Sequence, residues 1–201
     1  MVSPGQFLER PTLIPVGKHV MEGVSHRGRL SPLLLVLSPP PHEGGGMDHI
    51  VGAELAFAAS HAGFPTLRFN YRGVGASQGT RGADLLEDAL AALEVATDNA
   101  RGGPVLVASI NGADAIALKL LALKPDLVPA VCLISPSTSG PNDWSEPVWV
   151  VVGEHEAAQS KGGVAHVDII PSADRTFQRG LPMVGKAVVA CLAEAARPRK
   201  H

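Results

Sequence analysis

A regular alternation of short apolar runs with helically spaced segments predicts an α/β fold built on one mainly parallel, doubly wound sheet with helices on both faces. Three observations carry this. The strand candidates are apolar throughout, as in strands covered on both sides. The segments between them are long enough for crossover helices. The glycine- and proline-rich stretches fall just after strand candidates, where such folds place their sites.

The elements follow in order. Thr12 to Arg27 is weakly patterned and suits one or two leading antiparallel strands. Leu33 to Leu37 is a continuous apolar run, the length of a buried strand. Met47 to His61 spaces Ile50, Val51, Leu55 and Phe57 as a helix does, and Thr66 to Asn70 is a strand ending in a glycine loop. Ala83 to Ala96 is predicted helical: Leu86, Leu90 and Leu93 share a face, and Asp84, Glu87 and Asp88 lie near the N-terminus, where the helix dipole favours acids. Strands over Val105 to Val107, Val131 to Ile134, Val148 to Val152 and His166 to Ile170 follow, with helices over Asp114 to Leu123 and Val184 to Ala195.

Composition sets the outer limits. The chain has 201 residues, 45% hydrophobic and 18% charged, enough for a single domain over residues 1–201 with one core, its first ten or so and last five or so residues loose. A net charge of -2 and the lack of a basic stripe with interleaved aromatics exclude a nucleic-acid partner. The longest apolar run is too short to span a bilayer, and residues 1–10 hold no apolar leader core, so the expectation is a soluble cytoplasmic protein without a membrane partner. Cys132 and Cys191 sit in apolar segments and read as buried thiols of a reducing compartment. The eight histidines are scattered, and no metal or phosphate-loop motif occurs, so no cofactor or metal is expected.

Three loops remain as carriers of chemistry. The first, Ser38 to Asp48, holds Pro41, His42 and Gly44 between a strand and a helix, the arrangement of a loop that aims backbone N–H groups at a ligand. The second, Asn70 to Gly79, spaces its glycines as G-x-G-x-x-x-G without the acidic residue that a dinucleotide site needs about 20 residues later. The third is a strand, a sharp turn and a helix, with Ser109-Ile110-Asn111-Gly112-Ala113 at the five positions of the nucleophile elbow G-x-S-x-G. Asparagine tolerates the positive φ of an elbow apex and isoleucine resists it, so Asn111 takes the apex.

Together these loops resemble the α/β-hydrolase superfamily, in its small cap-less bacterial branch related to dienelactone hydrolases. That branch runs a proline-rich loop into G-G-x-M-D, then R-F-N-[FY]-R-G-V-G-x-S-x-G, then a helix E-D-A-L-A-A-L. This chain has Gly44 to Asp48, Arg68 to Gly79 and Glu87 to Leu93 in those places. The resemblance implies an α/β-hydrolase fold without a lid, consistent with the shortness of Ser135 to Glu146.

It also implies a degenerate triad. Asn111 replaces the serine, Glu156 takes the acid's place in Gly153-Glu154-His155-Glu156, and Arg175 stands in Pro171 to Phe177 where the histidine base belongs. Arginine stays protonated and cannot serve as a general base near neutral pH. Losing the nucleophile or base of a serine triad costs roughly a millionfold in rate. The leading expectation is therefore a pseudo-hydrolase with no intact catalytic residue. It binds a small ligand, with an anion as the sharper case, or a protein partner, through Pro41, His42, Gly44, Asn111, Gly112 and Arg175. A weak esterase with a relocated nucleophile, among Ser109, Cys132, Ser137 and Ser172, is the alternative, and a purely structural subunit the third; a homo-oligomer is possible under each. An Arg175–Glu156 pair is expected to brace the vacated site.

Overall fold

In the computed structural model, which describes residues 7–137, 147–156 and 166–197, eight strands form one sheet. They are β1 (Arg10–Val16), β2 (His19–His26), β3 (Leu33–Leu37), β4 (Thr66–Phe69), β5 (Val105–Ile110), β6 (Val131–Ile134), β7 (Val148–Gly153) and β8 (His166–Ile170). Their order across the sheet is β1-β2-β4-β3-β5-β6-β7-β8. The pairs β1/β2 and β2/β4 are antiparallel, and all others are parallel. The helices are α1 (Ile50–Ala62), α2 (Leu85–Asn99), α3 (Asp114–Leu123) and α4 (Leu181–Ala195). None among the described residues is long and apolar enough to cross a membrane.

The alternation of side chains in β3 shows why its run is apolar without interruption. Leu33, Leu35 and Leu37 enter one core with α2 and α3, through Ala89, Ala92, Leu93, Ala117 and Leu120. Leu34 and Val36 enter the other, with Val51 and Leu55 of α1 and Val184 and Val188 of α4. A strand covered on both faces has no polar side to display. Cys132 and Cys191 are free thiols buried in the second core.

Element ends differ from the sequence reading where side chains or turns set them. The first helix begins at Ile50 rather than Met47; Met47 lies in the turn before it, with its N–H on Asn70 Oδ1 at 2.7 Å. The second begins at Leu85, since the Asp84 carboxylate caps it by accepting from Leu86 N–H and Glu87 N–H at 3.0 and 3.1 Å. The last starts three residues early, at Leu181, where left-handed Gly180 ends the preceding turn and Pro182 fits the first helical turn. The N-terminal segment is also more anchored than expected. Phe7 stacks on His61 with ring centroids 4.4 Å apart, and Glu9 pairs with Arg68. Residues 1–6, the 138–146 part of the short loop taken to preclude a cap, and the basic end 198–201 lie outside the described residues.

Helices α1 and α4 touch closely because Gly185 has no side chain. A Cβ there would stand 2.7 Å from Glu54 Oε1 and 2.8 Å from Ala58 Cβ. Gly185→Val is expected to lower stability by about 1–3 kcal/mol through overpacking, read as a reduced urea midpoint at unchanged slope. His26, buried at the β2/β4 pairing, shares a 2.9 Å hydrogen bond with Thr66 Oγ1. Burial, chiefly, lowers its pKa from 6.5, so the folded state holds the neutral ring. Its contribution to stability is complete above pH 6.5 and is lost as the pH falls from there through the lowered folded value. The urea midpoint is expected to drop between pH 7.5 and 5.5, and to drop less in His26→Asn.

Candidate functional site

The carboxyl edge of the sheet gathers the three loops. Strand β5 turns into α3 through Asn111 at φ +33° and Gly112 at φ +64°, while Ile110 stays in the strand and is buried. Asn111 therefore occupies the strained apex. Its N–H donates to Ile134 O of the neighbouring strand at 3.0 Å, and its C=O accepts from Ala113 N–H at 2.8 Å. Its Oδ1 is buried and has no hydrogen-bond partner among the described residues.

The proline-glycine loop lies against this elbow. Pro41–Glu43 form one 3-10 turn closed by left-handed Gly44, and Arg81 Nη2 donates to Pro41 O at 2.7 Å. The contact that joins loop and elbow is the Glu43 carboxylate on Gly112. A Cβ at Gly112 would lie 2.6 Å from Glu43 Oε1, so a side chain there and the carboxylate exclude each other. Among the described residues, neither the His42 N–H nor the Gly112 N–H has an acceptor. The His42 ring is exposed, with Nε2 3.9 Å from Glu43 Oε1.

The segment after β4 acts as a brace. Glu22 Oε1 accepts from Asn70 Nδ2 at 2.7 Å and from Ala76 N–H at 2.6 Å. The Ser77 hydroxyl donates to Asn70 O at 2.8 Å and accepts from Glu22 N–H at 3.0 Å. Arg72 pairs with the fully buried Asp88 of α2 and with Glu87. The Gly73 N–H is used within the loop, on the carbonyls of Ser77 and Gln78. These internal bonds account for the glycine spacing without a dinucleotide.

Glu156 follows β7, half-buried, in a turn closed by its N–H on Gly153 O at 3.0 Å. Its Oε2 accepts from the Ser135 hydroxyl at 2.9 Å. Ser135 directly follows β6, buried and at φ +45°. Arg175 is exposed and makes no hydrogen bond or ion pair among the described residues.

The expected Arg175–Glu156 brace is therefore absent. Ala173 and Phe177 are both buried and anchor the segment, which leaves Arg175 on its outer side, while Ser135 engages the glutamate. Next to Arg175, Asp174 accepts from Thr176 N–H and the Thr176 hydroxyl, which holds its carboxyl below the usual carboxylate range.

The structure thus brings Pro41, His42, Gly44, Asn111 and Gly112 together through the loop-elbow contact, with Glu156 on the neighbouring strand end, and leaves Arg175 outside. Sequence reasoning missed Glu43, Ser135 and Asp114. The last is buried at the start of α3 and accepts from Ser137 N–H at 3.2 Å and the Ser137 hydroxyl at 3.3 Å. A charged residue beside His42 in the ligand-facing loop was the available signal for Glu43. Of the relocated-nucleophile candidates, Ser109 and Cys132 are buried in strands, and Ser172 is an exposed turn residue whose N–H donates to Glu154.

No protein-family model matches the chain. No curated protein matches it either. Solved structures do. An α/β serine hydrolase homologue from Coxiella burnetii is 23% identical, with 91% of this chain and 97% of that one covered at a TM-score of 0.76. An α/β serine hydrolase without a lid from Xanthomonas campestris is 18% identical over 96% and 98%, with a TM-score of 0.77. A dienelactone hydrolase from Anabaena variabilis is 16% identical over 94% and 99%, with a TM-score of 0.76. Near-complete coverage in both directions, including that of a lid-less structure, shows that the chain has the α/β-hydrolase fold in its small, lid-less form.

Proposed function

We propose that the chain is a catalytically degenerate hydrolase-like protein that binds a small ligand at the carboxyl edge of its sheet, in a reducing cytoplasm. The observation that carries this reading is the chemistry of the elbow apex and its surroundings. Asn111 offers a carboxamide where the fold presents a nucleophile, Arg175 is exposed and unpaired among the described residues, and Glu156 accepts from Ser135. Among the described residues no imidazole relay joins these groups, whereas the backbone N–H groups of His42 and Gly112 and the Asn111 Oδ1 have no hydrogen-bond partner. A ligand can use that capacity without turnover.

The purified protein is expected to hydrolyse short acyl esters at the buffer rate and to resist labelling by a fluorophosphonate probe. Stoichiometric labelling or robust turnover would overturn the proposal. Asn111→Ser is likewise expected to stay unlabelled over minutes, because a serine at the apex still lacks a base.

One observation favours a second reading, that of a weak esterase: Ser135 combines a strained backbone with a hydroxyl bonded to a carboxylate, one strand from the apex. Under that reading, wild type is labelled and Ser135→Ala is not. With only 2% of Ser135 exposed, the first reading is preferred.

A further inference from the structure

The two edges of the sheet are closed differently. At one end β1 carries Pro11 and Pro15, which have no N–H to give a further strand and so guard a free edge. At the other end β8 holds no proline and pairs on one side only, with β7. Ile170 O accepts from Glu154 N–H at 3.0 Å, and peptide groups alternate sides along a strand, so His166, Asp168 and Ile170 address β7. The N–H and C=O groups of Val167 and Ile169 therefore face outward, without a partner among the described residues. Their side chains are open as well: Val167 is 37% and Ile169 52% exposed, beside the buried Val150 and Val152 of β7.

A second copy of this strand, running antiparallel, can meet those outward groups centred on Val167, on Asp168 or on Ile169. Centring on Asp168 sets two carboxylates directly opposite each other, where side chains come closest. Centring on Ile169 sets Val167 against Pro171, which has no N–H to return. Centring on Val167 pairs that residue with its own copy and sets His166 opposite Asp168 on both sides of the two-fold axis. Within one chain His166 Nε2 and Asp168 Oδ2 lie 3.2 Å apart on one face of the strand, so across the axis imidazoles and carboxylates alternate in a single cluster. The strand is thus complementary to itself in charge and in backbone, as a two-fold interface requires.

We propose that β8 is a self-association edge, on which a second copy of this chain adds its own β8 antiparallel, Val167 opposite Val167 and His166 opposite Asp168, to join the two sheets. A five-residue edge is a small contact beside the roughly 1,200 Å² of a stable interface, so the dimer forms reversibly with concentration.

Sedimentation velocity over a concentration series of the whole chain tests this. Wild type is expected to pass from monomer to dimer as the concentration rises. His166→Asp puts a carboxylate opposite Asp168 on both sides of the axis and is expected to weaken the dimer about tenfold. Combining His166→Asp with Asp168→His exchanges the two groups and is expected to restore it. Val167→Lys, which sets a lysine against its own copy, is expected to abolish it. The urea midpoint of each variant at monomer concentrations, expected to match wild type, separates a lost edge from a lost fold. Wild type that stays monomeric throughout, a dimer indifferent to His166→Asp or Val167→Lys, or a folded double variant that fails to recover would overturn the proposal.

Discussion

Both polar groups of one backbone residue, Met47, are held by side chains from the end of β4. Asn70 Oδ1 accepts its N–H, and Arg68 Nη1 donates to its C=O at 2.6 Å. Through this double hold the proline-glycine loop, the start of α1 and the central strands become one unit. Arg68 is nearly buried and carries the constraint outward to Glu9 and Asp48. Asn70 carries it sideways to Glu22 and thence to Ala76. A buried guanidinium and carboxamide would be costly without partners, and these two have their demands largely met by the loops they fix. The motif Arg68-Phe69-Asn70-Tyr71-Arg72 is therefore structural in this chain. Its two outer arginines tie the loops to the N-terminal segment and to Asp88 of α2.

A loop held at its base can bring one side chain reproducibly onto the elbow, and here that side chain is Glu43. The elbow accepts it because Gly112 is empty on that side and Asn111 absorbs the strain of the apex. In triad chemistry the same place needs a nucleophile, a base within hydrogen-bond reach and a hole free for an oxyanion. This chain has an amide at the apex, no histidine hydrogen-bonded to it among the described residues, and a carboxylate against Gly112. The scaffold around these residues is retained.

The fold was almost wholly legible in the residues, because a doubly wound sheet writes itself as unbroken apolar strands and spaced helices. Leu33–Leu37, Val131–Ile134 and His166–Ile170 match the strands residue for residue. The helix starts were less legible: Met47 and Asp48 form a turn before α1, and the Asp84 cap sets the start of α2. Asn111 as the apex was readable from backbone preference alone. Arg175 was placed correctly along the chain yet wrongly in space, since the sequence does not show that buried Ala173 and Phe177 turn it outward.

The sequence by itself determined the architecture, because apolar periodicity selects the sheet, and it fixed the residue types at the elbow and the two later loops as a carboxamide, a carboxylate and a guanidinium. Only the tertiary structure decided which side chains meet. Ser135 and Glu156 come together across β6 and β7, and Glu43 and Gly112 across two loops, at sequence separations of 21 and 69 residues. Contacts of that kind are set by strand order and by competition for volume, which no local pattern records.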